Sequence, residues 1–102
     1  MSQASISERA AGQLQLSGVL DYRTGPKLRE QGARLIAASS AAQLSLDCSA
    51  VEKSSSVGLA LLLAFVRDAR KAGRELSISA LPDDMREIAQ VSGLLELLPL
   101  QP

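Results

Sequence analysis

The sequence predicts an α/β domain in which a small mixed β-sheet is covered mainly on one face by helices. Three observations carry that prediction. Short segments alternate polar and apolar residues with period two, longer ones repeat apolar residues at helical spacing, and glycine, proline and serine clusters separate them in the order ββαβαβα. The 102 residues are read as one domain spanning 1–102, a length that supports a single core.

Ile6–Arg9 is a weak strand, Ala11-Gly12 a turn, and Gln13–Ser17 a second strand with strict alternation, so the chain opens as a hairpin. Gly18-Val19-Leu20-Asp21 then leads to Thr24-Gly25-Pro26, where Thr24 is placed to cap and Pro26 to enter the first turn of a helix. That helix carries Leu28, Gly32, Leu35 and Ile36 on one side, with Lys27, Arg29, Glu30 and Arg34 mostly on the other, and ends at Ala38-Ser39-Ser40. Leu44–Cys48 is a third strand with Leu44 and Leu46 inward, and Ser49-Ala50-Val51 carries the chain on to three consecutive serines. The second helix begins wholly apolar, at Val57–Val66, and turns polar from Arg67. Ala72-Gly73 closes it, with the glycine suited to a left-handed cap. Leu76–Ser79 is a fourth strand. A third helix starts at Leu81-Pro82-Asp83-Asp84, with proline in its first turn and both aspartates complementing its dipole. Met85, Ile88 and Ala89 form its apolar stripe, Ser92-Gly93 breaks it, and Leu94–Leu100 packs back as an apolar tail.

Composition removes several function classes. Phe65 and Tyr22 are the only aromatic residues, so there is no platform for stacking bases, and eleven basic residues balance eleven acidic ones. Nucleic acid is therefore disfavoured. The chain has no histidine, which excludes a histidine-based triad, a histidine-ligated zinc and the usual near-neutral proton shuttle. No glycine-spaced run ends in Gly-Lys-Ser/Thr, so no phosphate-cradling loop, cofactor or metal is expected. Cys48 is alone and falls in a buried strand, where it reads as a small inert hydrophobe in a reducing cytosol. Met1–Ser5 lacks the basic-then-apolar pattern of a secretory signal, and Val57–Val66 is far shorter than the roughly 20 residues of a membrane span, so no direct membrane insertion is expected.

The most informative segment is Ser54-Ser55-Ser56-Val57-Gly58-Leu59, three hydroxyls at the start of an apolar helix. Unpaired backbone N–H groups and the positive end of the dipole converge there, which suits a cap, an anion or a modified serine. Ser56 reads first as the N-cap of this helix, a role worth about 1 kcal/mol. A partner contact at the same residue is compatible with that role.

Gly18-Val19-Leu20-Asp21, Leu46-Asp47-Cys48, Ser55-Ser56-Val57-Gly58-Leu59 and Val91-Ser92-Gly93-Leu94 together give the chain a resemblance to the STAS domain family of bacterial anti-sigma factor antagonists. In order, they match the family's Gly-Glu-Leu-Asp turn, its central strand, its Asp-Ser-Ser/Thr-Gly-Leu loop and its C-terminal Ser-Gly-Leu. The all-aliphatic Gly58–Leu63 and the lack of histidine resemble most the members of this family that serve as cytoplasmic subunits of a Gram-negative ABC transporter. That transporter moves phospholipid between the two membranes and maintains outer-membrane lipid asymmetry.

The resemblance implies a non-catalytic subunit that binds the transporter's ATPase and supports its assembly and activity. The complex would also hold a permease and a lipid-binding subunit, with this chain peripheral to the inner membrane through its partner. Partner binding is expected at Ser54, Ser55, Ser56, Val57, Gly58 and Leu59. Ser56 stands at the family's Ser/Thr position, phosphorylated in sigma-factor antagonists, so the alternative function is an anti-sigma factor antagonist switched by phosphorylation of Ser56. Ser55 stands where the family has aspartate, and Val57 replaces a small residue; both departures favour docking over the switch. A phosphate on Ser56, with a charge of about −2, is compatible with the helix N-terminus and Lys53 but not with an apolar interface.

Other residues carry blander readings. Arg67, Arg70, Lys71 and Arg74 recur at helical spacing and suit phosphate or an acidic partner, but Asp68 and Glu75 intervene and a solvated face is the default. Asp21 belongs to a turn or cap after the second strand. Asp47 and Ser49 lack a base or metal ligands and carry no chemistry. Leu94, Leu95, Leu97 and Leu98 finish the core.

Overall fold

The computed structural model describes residues 4–101. The absence of a signal in Met1–Ser5 was read partly from Met1 to Gln3, which, like Pro102, lie outside the described residues. Strand β1 (Ala4–Ala10) and strand β2 (Gln13–Leu20) form the hairpin, followed by α1 (Gly25–Ala38), β3 (Gln43–Ser54), α2 (Ser56–Lys71), β4 (Glu75–Ser79), α3 (Asp83–Val91) and a short 3-10 turn at Leu95–Leu97. The sheet order is β1-β2-β3-β4; the hairpin is antiparallel, and β2–β3 and β3–β4 are parallel. The sheet is thus mixed and the element order is as expected.

Period-two alternation sorts the two faces. Leu14, Leu16, Leu20, Leu44, Leu46, Cys48, Leu76 and Ile78 are buried in one cluster with Leu28 and Ile36 of α1, Leu59, Leu62 and Phe65 of α2, and Met85 and Ala89 of α3. Register places Leu14 beside Leu46 and Leu46 beside Ile78, so the apolar rows align across the strands. The opposite face carries the partly exposed Gln15, Ser17, Ser45, Asp47 and Ser77. Helices therefore cover one face only. No helix among the described residues is long and apolar enough to cross a membrane.

Four local expectations need correction. Gly18 was read as the start of a turn, yet β2 runs on through Leu20, because Gly18, at φ 90°, is followed by a register shift against β3 that absorbs the irregularity as a bulge. The third strand was expected to end at Cys48 but continues to Ser54: Ala50, Val51, Lys53 and Ser54 pair with Ser17, Gly18, Val19 and Leu20, so pairing overrides the weak local pattern. Thr24 occupies the N-cap position of α1 without capping; its hydroxyl donates to the Val19 carbonyl at 2.9 Å and accepts from the Asp21 N–H at 3.0 Å. Pro82 is extended at ψ 149° and precedes α3 rather than entering its first turn, while Asp83 and Asp84 do occupy that turn.

The helix ends follow their glycines. Gly73 and Gly93 have φ of 73° and 72°, the left-handed geometry that terminates α2 and α3. Beyond α3, Leu98 is buried, Leu94 and Leu95 are partly buried, and Leu97 is exposed, so not every leucine of the tail completes the core. The tail also bridges the edge of β4: the Ile78 N–H donates to the Pro99 carbonyl at 2.9 Å, and the Gln101 N–H donates to the Ile78 carbonyl at 2.8 Å.

Candidate functional site

The serine segment lies where β3 meets α2, and its residues divide into a buried base and an exposed knuckle. Ser54, last in β3, is 9% exposed and donates its hydroxyl to the Ser55 carbonyl at 2.7 Å. Ser55 is extended, at φ −89° and ψ −173°, and its hydroxyl oxygen accepts from the Val57 N–H at 3.2 Å. The N-cap is therefore Ser55, which corrects the assignment of that role to Ser56. Only the residue still in extended geometry can turn its oxygen back to the second helical N–H. Ser56 is the first helical residue and is exposed.

Two contacts fix the knuckle to the neighbouring loop. The Ser55 N–H donates to the Leu20 carbonyl at 2.9 Å, which ties the start of α2 to the end of β2. A β-carbon on Gly25 would lie 2.9 Å from Cγ1 of Val57, so the start of α1 closely adjoins the start of α2. Between these anchors, Asp21 holds a tight turn, its Oδ1 accepting from the Arg23 N–H at 2.9 Å and the Thr24 N–H at 3.2 Å. The turn role expected of Asp21 is what the structure shows.

Beneath the knuckle, Gly58 is buried against Ser54, Leu20 and Met85; a β-carbon there would collide with the Ser54 hydroxyl. Leu59 is 4% exposed and points into the core. Of the six residues expected at a partner surface, Ser55, Ser56 and Val57 are accessible or partly so, whereas Ser54, Gly58 and Leu59 lie underneath. The accessible surface continues along α2 through Ala60 and the half-buried Leu63, at four- and seven-residue spacing from Ser56. Sequence reasoning stopped at Leu59. The period of the helix was the signal that would have carried it further.

Tyr22 was also missed. It is 75% exposed at the tip of the Asp21 turn, and Arg23 lies over its ring at 5.6 Å from the centroid. A lone aromatic between two turn residues is the pattern that would have drawn attention to it.

Cys48 and Asp47 each sit in surroundings that shift their protonation. Burial, reinforced by the negative charge of Asp47, pushes the Cys48 thiol up to about 12, so a thiolate is strongly disfavoured. Hydrogen bonds from the backbone and side chain of Ser49 hold Asp47 below its ordinary value, a group that stays ionised and is unsuited to taking up a proton near neutrality. Among the described residues, no three His, Cys, Asp or Glu side chains are grouped to hold a metal ion.

Comparisons with known proteins bear on the fold. Residues 5–99 match the family model described as Mlab, STAS domain. An anti-sigma factor antagonist from Mycobacterium paratuberculosis is 27% identical, with a TM-score of 0.77 over 100% of this chain and 86% of that one. A chain of the Acinetobacter MlaFEDB complex, in its ATP-bound Vtrans2 conformation, is 23% identical, with a TM-score of 0.82 over 95% of this chain and 99% of that one. The Bacillus cell fate determinant SpoIIAA in its phosphorylated form is 16% identical, with a TM-score of 0.67 over 98% and 92% of the respective chains.

Proposed function

Since the chain belongs to the STAS domain family, in the group whose model is described as Mlab, we propose that it is a non-catalytic docking subunit of an ABC transporter. Its partner is the transporter's ATPase, the MlaF-like subunit of an MlaFEDB-like assembly that also holds permease and lipid-binding subunits. Its process is the phospholipid traffic that maintains outer-membrane lipid asymmetry, and its place is the cytoplasmic face of the inner membrane. Residues 1–102 act as one STAS domain in this role.

The observation that carries this reading is the division of the serine segment: a buried base of Ser54, Gly58 and Leu59 beneath the exposed Ser55 and Ser56 and the half-buried Val57. Such a corner presents shape without a reacting group. Protein interfaces of this kind are built around a few anchor residues, and the exposed Tyr22 beside the knuckle suits that part.

The effect on the ATPase is thermodynamic. A subunit that prefers the competent conformation raises its population by no more than its difference in affinity between states, tenfold for about 1.4 kcal/mol. Ser56→Arg is expected to abolish capture of the ATPase while leaving the circular dichroism spectrum and melting temperature unchanged. Undiminished capture by that variant would place the interface elsewhere.

One observation favours a second reading, an anti-sigma factor antagonist. Ser56 is exposed at the first position of α2, open to a kinase and next to backbone N–H groups that favour a phosphate. Incubation with a cognate serine kinase separates the two: stoichiometric phosphate on Ser56 by intact mass supports the switch, and an unmodified chain supports the transporter subunit.

A further inference from the structure

Arg67, Arg70 and Lys71 of α2 are exposed, as a solvated face requires, whereas Arg74, just beyond α2, is half-buried, and the carboxylate that interrupts this run in sequence does not neutralise it. Asp68, which interrupts them in sequence, points to the other side of the helix and pairs with Arg29 of α1 through two bonds of 2.5 and 3.1 Å. Arg70 and Arg74 have no carboxylate within ion-pair distance among the described residues. Arg74 is also fixed: its Nη1 donates to the Ala41 carbonyl at 2.9 Å, while its buried Nε has no acceptor within the described protein.

Both arginines line a groove of about 560 Å³ between the C-terminal half of α2, the edge of β4 and the tail. Its apolar walls come from Leu44, Val66, Leu76 and Leu100. Glu75 is the one carboxylate lining it, so two guanidinium groups leave a net positive charge. That volume falls within the range of small-molecule sites, and such sites join an apolar lining to a few placed polar groups. A fixed guanidinium also loses less freedom on binding than a mobile one.

We propose that this groove binds a small anionic amphiphile, its phosphate or carboxylate held by Arg70 and Arg74 and its apolar body lying on Val66, Leu76 and Leu100. The site lies towards the C-terminal end of α2, away from the serine knuckle at its start, so the proposal does not rest on the identity of the docking partner. The charge and the apolar walls act together: neither a free anion nor a neutral chain satisfies both. Acyl phosphates, alkyl phosphates and short fatty acids share this chemistry.

The test is a titration of the isotope-labelled full chain, followed by amide NMR shifts, with octyl phosphate below its micelle concentration, inorganic phosphate and octanol. Octyl phosphate is expected to give saturable shifts at Arg74, Ser77 and Gln101, with inorganic phosphate and octanol each binding at least about tenfold more weakly. Arg74 also holds Ala41, so Arg70→Gln is the deciding variant; its melting temperature should match that of the parent and its affinity should fall about tenfold, the loss expected for one charge-assisted contact. No saturable shift, shifts confined to another surface, equal binding of either simple probe, or unchanged affinity in Arg70→Gln would each overturn the proposal.

Discussion

Gly32 faces the ring of Phe65 so closely that a β-carbon on Gly32 would overlap the ring edge. Phe65 is fully buried near the centre of α2. This contact sets how near α1 approaches α2. Gly32→Ala would gain about 1 kcal/mol of helix propensity, but overpacking a rigid core costs typically about 1–3 kcal/mol. We expect a net loss of up to about 2 kcal/mol, measured by urea denaturation; a stabilised variant would show that the helices separate at little cost.

The capping assignment is open to a paired comparison. Ser55→Ala removes the oxygen that accepts from the Val57 N–H and should cost about 1 kcal/mol. Ser56→Ala removes an exposed hydroxyl at the first helical position and should change stability by less than about 0.5 kcal/mol. Thermal unfolding of both variants distinguishes the two serines, and equal losses would contradict the assignment.

The sequence made the sheet and helices legible because leucine periodicity reports directly which face is buried: Leu44 and Leu46, or Met85 and Ala89, are inward in the structure as their spacing requires. It was less informative about Ser49–Ser54, whose place in β3 comes from pairing with β2, and about Gly18, which bulges a strand instead of ending it. At the candidate site, local pattern set three serines at one corner but did not show which of them is buried, which caps and which is exposed. Burial beneath the corner depends on Leu20 and Met85, which are distant in sequence from Gly58. Asp68 shows the same limit, since local spacing sets it among the arginines of α2 and the fold turns it towards Arg29.

If the knuckle and the neighbouring turn form one docking surface, Tyr22 should matter to binding and not to folding. Its side chain is 75% exposed, and the turn that displays it is held by Asp21 rather than by the ring. Tyr22→Ala should weaken capture of the ATPase at least about tenfold, in the range of an aromatic anchor, with the melting temperature unchanged. Binding equal to that of the parent would confine the interface to α2.

Asp47 predicts a sensitivity to acid. Its folded-state value lies below 3.8, chiefly through the backbone N–H and then the hydroxyl of Ser49. A depressed carboxylate contributes stability above its unfolded value and loses it as pH falls through the folded one. Asp47→Asn should therefore be less stable than the parent at neutral pH, with the difference closing below about pH 4. A gap that persists unchanged into acid would assign the effect to packing.

Cys48 predicts the opposite arm of the profile. Burial first, and the neighbouring Asp47 charge second, raise its thiol from 9.0 to about 12. The folded chain keeps the proton that the unfolded chain releases, so this contribution is complete below pH 9.0 and is lost as pH rises towards about 12. The informative quantity is the difference between the parent and Cys48→Ala. At neutral pH the variant should be less stable, because the deleted sulfur leaves a small gap at a fully buried position of β3. Between pH 9 and 11 that difference should narrow as the parent alone loses the thiol contribution. The same burial implies that a disulfide reagent leaves the native thiol unmodified at pH 8 and reacts once urea unfolds the chain. Rapid native labelling, together with a stability difference independent of pH, would show that the strand opens to water around Cys48.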